Sequence, residues 1–125
     1  MKKNLLLNKP KKSLGQNFLI DENISRKTVK LLDIKPEDYF LEIGPGYGSL
    51  TKYLIEQTKN LICVEIDKEI FQNISEKYAG IKIINEDVLN INFDSLTEGN
   101  YKLRVVGNIP YNITSQIIFH IIDQR

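Results

Sequence analysis

A chain of 125 residues, 42% hydrophobic and 26% charged, has room for one domain and is globular rather than disordered or fibrous in composition. Its net charge of +1 is unevenly divided: the first twelve residues hold five lysines (Lys2, Lys3, Lys9, Lys11 and Lys12) and no acid, leaving twelve basic and sixteen acidic residues for the rest. The short run Leu5-Leu6-Leu7 excludes a signal peptide, no window approaches the ~20 apolar residues of a membrane helix, and the chain reads as cytoplasmic.

The basic arm suits a phosphate backbone and equally suits a solvated terminus. Lys11 to Leu19 mixes basic, polar and aromatic residues without periodicity. A helix then opens with Asp21 as N-cap and Ile24, Thr28, Leu31 and Leu32 on one face, and Ile34-Lys35-Pro36 breaks it. Tyr39 to Ile43 is a buried strand, followed by the turn Gly44-Pro45-Gly46-Tyr47-Gly48 and a helix over Ser49 to Thr58 with Leu50, Leu54 and Ile55 inward. A second strand spans Leu61 to Ile66, apolar but for Glu65, as expected of a parallel strand covered on both faces. Cys63 lies inside it and reads as packing.

Asp67 caps the next helix, whose Ile70, Phe71 and Ile74 face the sheet, with Gly80 as its stop. Ile81 to Ile84 is a third strand and Leu103 to Val106 a fourth. Asn108-Ile109-Pro110-Tyr111 leads into a helix from about Ile113 that carries Ile117, Ile118, Ile121 and Ile122. Strands alternating with helices predict an α/β fold with a parallel sheet and right-handed crossovers.

Ligands of such sheets sit outside the carboxyl ends of the strands, and each of the four ends carries a polar or glycine feature. Three glycines in five residues let the first loop bend tightly and approach a ligand, and the helix behind it presents unpaired N–H groups. The spacing Gly44-x-Gly46-x-Gly48 is not that of dinucleotide binders. With Glu42 ahead of it, the loop instead resembles motif I of S-adenosylmethionine-dependent methyltransferases. Glu65, about twenty residues on, suits the hydroxyls of a ribose, or is a core-edge carboxylate balanced by Lys68. Asp87 could accept from an adenine amino group beside the Val88 N–H, or simply cap a turn.

The fourth loop speaks to methyl transfer onto an exocyclic amine, whose lone pair is delocalised into its ring. Two acceptors, the Asn108 side-chain oxygen and the Ile109 carbonyl, would hold the nitrogen nearer to tetrahedral. Pro110 keeps the carbonyl aimed, and Tyr111 offers a ring on which an extruded base can stack, worth ~1–3 kcal/mol.

In combination these motifs resemble the rRNA adenine N6-dimethyltransferase family. Lys12-Ser13-Leu14-Gly15-Gln16-Asn17-Phe18-Leu19 is similar to its N-terminal signature (motif X), and Asn108 through His120 to its motif IV and following helix. The N-terminal signature and the Phe119-His120 pair resemble the housekeeping small-subunit (KsgA-type) branch more than the macrolide-resistance enzymes of the large subunit. The resemblance implies a Rossmann-like fold, S-adenosylmethionine as cofactor, and no metal. It implies dimethylation of two adjacent adenosines near the 3′ end of 16S rRNA, with the 30S precursor as partner. Asn17, Leu19, Gly44, Gly46, Glu65, Ile66, Asp87, Val88 and Asn108 would contact the cofactor, Asn108 also receiving the target amine. His120, in an apolar helix, reads as structural.

Family members run longer, with further strands and a small helical domain. Residues 1–20 are therefore expected to form the arm and residues 21–125 the first part of the catalytic domain, with RNA recognition impaired. Leu103, Val105 and Val106 would line an open sheet edge prone to self-association. A non-catalytic RNA-binding module of the same fold is the competing expectation. A DNA or protein amide methyltransferase is disfavoured by Ile109, where those enzymes carry a proline.

Overall fold

The computed structural model describes residues 22–97, 102–107 and 114–123. In chain order these form α1 (Glu22–Leu31), β1 (Tyr39–Ile43), α2 (Thr51–Gln57), β2 (Leu61–Val64), α3 (Lys68–Lys77), β3 (Lys82–Ile84), two 3-10 turns (Val88–Asn90 and Phe93–Ser95), β4 (Leu103–Gly107) and α4 (Thr114–Asp123). The described strands make one parallel sheet in the order β3-β2-β1-β4. β1 is thus central, with Ile43 in register with Val64 on one side and Gly107 on the other.

Alternation along the strands divides the core into two layers. Leu41, Ile43, Ile62 and Val64 join Val88 and Phe93 on one face, with Ile121 of α4 packed against them. Phe40, Leu61 and Cys63 face the other way, against Val29 of α1, Leu50 just ahead of α2 and Leu54 within it. Burial on both faces is why β1 and β2 are continuously apolar except for Glu42. Cys63 is fully buried, as its apolar run predicts.

At the amino ends of the strands Arg104 closes the fold. Its guanidinium pairs with Asp38 at 3.0 Å, donates to the Leu32 carbonyl at 2.6 Å and lies 4.8 Å over the Phe40 ring. α1, β1 and β4 are thereby locked together at the end away from the glycine loop.

Several expectations are corrected. α1 buries Ser25 and Val29, whereas Ile24 and Leu31 are exposed, so the inward face is the one that carries Val29 toward Phe40, Leu50 and Leu54. β2 ends at Val64, and Ile66 is on the surface at 48% exposure, beyond the paired segment. α3 does start at Asp67, whose carboxylate accepts from the Ile70 N–H at 3.0 Å. It stops at Tyr78 (φ −127°, ψ 68°), whose N–H still donates to the Ile74 carbonyl, and Gly80 does not take a left-handed conformation. On α4, Ile118 and Phe119 face solvent while Ile121 packs on the core. β4, like β3, is an edge strand among the described residues, but Leu103, Val105 and Val106 are half-buried by the two core layers.

Candidate active site

β1 passes to β2 on one side, and the chain returns as β4 on the other. The switch in direction opens a crevice at the carboxyl ends of β1 and β4, where open α/β sheets bind ligands. The loop over that crevice continues the β1 ladder, Gly44 N–H donating to the Val64 carbonyl at 2.9 Å, and then turns sharply. Gly44, Gly46 and Gly48 all have positive φ (66°, 58° and 94°), conformations that a side chain would strain. A Cβ on Gly44 would meet nothing within 4 Å, so the loop is open there.

The second tip supports the first. Glu65, 1% exposed, accepts from Gly46 N–H on Oε1 at 3.3 Å and from Asp67 N–H on Oε2 at 3.0 Å. Backbone donors therefore balance it, and the Lys68 counter-ion considered from the sequence is not used. Burial raises its pKa, and these N–H groups pull the other way. Asn85, at the tip of β3, donates to the carbonyls of Glu65 (2.9 Å) and Ile66 (3.3 Å), so three tips are hydrogen-bonded into one surface.

Asp87 follows on the same side. Its Oδ1 accepts from the Leu89 N–H at 3.0 Å, capping the 3-10 turn that buries Val88 in the core. The capping role considered from the sequence is present, and the residue stays half-buried beside the tips.

Beneath the loop lies Glu42, in the middle of β1 and 1% exposed. Its Oε1 accepts from the Thr51 hydroxyl at 2.6 Å and from the Cys63 thiol at 3.6 Å. Burial pushes its pKa up to about 7, helped by the charge of Glu65. The Cys63 thiol is pushed far up by burial and by Glu42, which removes it as a nucleophile.

Of the residues singled out from the sequence, Gly44, Gly46, Glu65, Ile66, Asp87 and Val88 lie on or beside the tips. Asn17, Leu19, Asn108, Ile109, Pro110 and Tyr111 lie outside the described residues. Three contributors were missed: Thr51, Asn85 and Gly107. A Cβ on Gly107 would collide with the Ile43 carbonyl oxygen, so this glycine lets β4 close on β1 directly before Asn108. Its signal in the sequence was a glycine ending an apolar run. His120 is structural: Nε2 is 2.9 Å from the Ile91 carbonyl oxygen, and the ring stands edge-on to Phe93 at 5.3 Å.

Residues 7–125 match the family described as ribosomal RNA adenine dimethylase. The chain belongs to that family. It is 50% identical over 115 residues to the ribosomal RNA small subunit methyltransferase A of Chlorobium chlorochromatii (strain CaD3), covering 92% of this chain and 44% of that protein. The solved structure of the 23S rRNA methyltransferase ErmE is similar at TM-score 0.71 and 31% identity, over 86% of this chain and 42% of that one. A dimethyladenosine transferase from Plasmodium falciparum is similar at TM-score 0.72 and 26% identity, over 87% and 39%. The chain spans less than half the length of each of these proteins.

The fold of this dimethylase-family chain is the Rossmann-like one of methyltransferases. The family depends on S-adenosylmethionine, and the strand tips fit such a molecule. The backbone is open at Gly44, and the Glu65 and Asp87 carboxylates are acceptors suited to hydroxyl and amino groups. Among the described residues no cluster of three or more His, Cys, Asp or Glu could hold a metal ion, and no helix is long and apolar enough to cross a membrane.

Proposed function

We propose that this chain is the cofactor-binding part of a cytoplasmic enzyme that dimethylates adenine N6 on two adjacent adenosines near the 3′ end of small-subunit rRNA. Its partner would be the 30S precursor, and the reaction would serve ribosome maturation. The observation that carries the reading is the Glu65 carboxylate held against Gly46 N–H, which joins the glycine loop to the neighbouring strand tip. Gly44 and Gly46 would hold the methionine end, Glu65 the ribose, and Asp87 with the Val88 N–H the adenine, beside the exposed Ile66. Asn17 and Leu19 would complete that pocket.

When bound, S-adenosylmethionine supplies a methyl group already activated by its sulfonium. The chain's own task is then positioning. The Asn108 oxygen and Ile109 carbonyl would accept from the target amine and expose its lone pair, Pro110 would keep that carbonyl aimed, and Tyr111 would stack the extruded adenine. Pre-set acceptors lower the barrier without needing a cysteine nucleophile.

The small subunit is favoured over the large because the relative at 50% identity is named for it, against 31% for the 23S enzyme. The β4 edge is a further place where a second chain could add, which light scattering rising with concentration would report. The deciding experiment is calorimetric titration with S-adenosylmethionine, then transfer of labelled methyl to unmodified small and large subunits by the full-length protein. Transfer to small subunits that vanishes in Asn108→Ala and Tyr111→Ala supports the reading. RNA binding with no methyl transfer under any condition would replace it with a non-catalytic assembly role.

A further inference from the structure

The positive charge of the chain does not stop at the arm. Residues 1–30 hold eight basic and two acidic side chains, whereas residues 31–125 hold nine basic and fourteen acidic ones. Three of the eight, Arg26, Lys27 and Lys30, lie on α1 and are exposed. Their spacing of one, three and four residues gathers them on one stripe of the helix, away from the face that buries Ser25 and Val29. Arg26 and Lys30 are one turn, about 6 Å, apart along the axis.

Two contacts bear on the charge of this stripe. Glu22, the acid in the first turn of α1, is ion-paired with Lys52 of α2, and that pairing lowers its pKa. Arg26 stands 5.8 Å from the centre of the Tyr53 ring, and Lys52 lies 5.1 Å from the same ring. Arg26 is thus steadied by an aromatic face, and it shares the charge of Glu22, one turn away, with Lys52, which makes the ion pair. Lys27 and Lys30 form no ion pair among the described residues.

The stripe begins at the rim of the active site. Lys52, the partner of Glu22, donates its backbone N–H to Gly48 at 3.1 Å, so the first turn of α1 sits beside the glycine loop. The other end of α1 is fixed to Arg104 at the amino ends of the strands. The cations therefore run from the strand tips down the outside of the domain.

We infer that the outward stripe of α1, Arg26, Lys27 and Lys30, is a docking surface for the phosphate backbone of the RNA whose adenine reaches the strand tips. The inference rests on the proposed function for the identity of the ligand, and on charge complementarity and position for the surface. Point charges at turn spacing suit sequence-independent phosphate contacts that set register without reading bases.

The test is equilibrium binding of the full-length protein to unmodified small-subunit rRNA across a salt series. Neutralising the stripe (Arg26→Gln, Lys27→Gln, Lys30→Gln) should reduce the slope of log affinity against log salt by about 2 to 3, at roughly 0.7–0.9 per phosphate contact, and weaken binding at least tenfold at low salt. Calorimetric affinity for S-adenosylmethionine should not change. The charge-keeping set Arg26→Lys, Lys27→Arg, Lys30→Arg should retain the wild-type slope, which separates lost charge from lost fold. Neutralising exposed lysines elsewhere (Lys59→Gln, Lys68→Gln, Lys82→Gln) should leave the slope unchanged. An unchanged slope in the neutralised stripe, an equal fall in the control set, or a loss confined to anionic lipid vesicles overturns the inference. Wild-type methyl transfer alongside an unchanged slope sinks the stripe alone, whereas a reduced slope without any methyl transfer leaves the stripe standing and sinks the enzymatic reading.

Discussion

The Thr51 hydroxyl, at the first residue of α2, donates to the Glu42 carboxyl in the middle of β1 at 2.6 Å. That bond ties the helix behind the glycine loop to the strand that feeds it. With the Cys63 thiol on the same oxygen, it favours the charged form, but burial outweighs both and keeps the proton on until about pH 7.

A pH-dependent penalty follows from Glu42. Its native pKa lies above its ordinary value of 4.5, so the native state holds a proton that the unfolded chain releases. Stability is therefore lost as pH rises from about 4.5, and the loss is complete above about 7, amounting to roughly 3 kcal/mol. Glu42→Gln keeps an acceptor for Thr51 and has no proton to lose. Urea unfolding should find the variant more stable than wild type by up to that amount at pH 8, with little difference at pH 4. Equal gaps at both pH values would mean that Glu42 does not titrate in this range.

Two glycines at the crevice should fail in different ways. At Gly107 an added methyl meets the backbone of Ile43, which cannot move without opening the β1–β4 pair, and Gly107→Ala should cost about 1–3 kcal/mol. At Gly44 the methyl has room, and only the left-handed backbone is strained, for about 1–2 kcal/mol. Gly44→Ala should instead show its larger effect in calorimetric titration with S-adenosylmethionine, because the methyl fills the open side of the loop. Full cofactor affinity in a folded Gly44→Ala protein would remove Gly44 from the pocket.

Local signals carried much of the architecture. β1 matched its apolar run residue for residue, the positive φ angles followed the glycine spacing, and Asp67 capped α3 as its position foretold. Contacts between distant segments were not legible. The Glu65 carboxylate is satisfied by Gly46, nineteen residues away in sequence, whereas proximity in sequence pointed to Lys68. The collision that makes Gly107 necessary arises only when β4 pairs with β1, and a strand-ending glycine looks like punctuation until then.

The misread face of α1 yields its own prediction. Ile24 and Leu31 are the large apolar residues, but the helix turns Ser25 and Val29 inward, with Val29 in the core layer of Phe40, Leu50 and Leu54. Val29→Ala should therefore destabilise by about 1–3 kcal/mol, and Ile24→Ala by less than about 1 kcal/mol. Thermal unfolding of the two variants decides it, and a larger loss from Ile24 would restore the face expected from periodicity.

The Glu65 carboxylate is where stability and cofactor binding meet. Both of its oxygens accept from backbone N–H groups while its pKa is raised, so protonation sets in above the ordinary carboxylate range. If the ionised form accepts the ribose hydroxyls, affinity for S-adenosylmethionine should be full at neutral pH and fall as pH drops through that raised value. Glu65→Gln cannot ionise and turns an amide donor toward one of the two N–H groups. It should bind the cofactor about tenfold to a hundredfold more weakly, the worth of a hydrogen bond to a charged group. Its affinity should also lose the acid-side dependence seen in wild type. Calorimetry from pH 5 to 8 on both proteins checks this: parallel pH profiles would place the titrating group elsewhere, and an unchanged affinity would leave Glu65 as a structural brace between the first two strand tips.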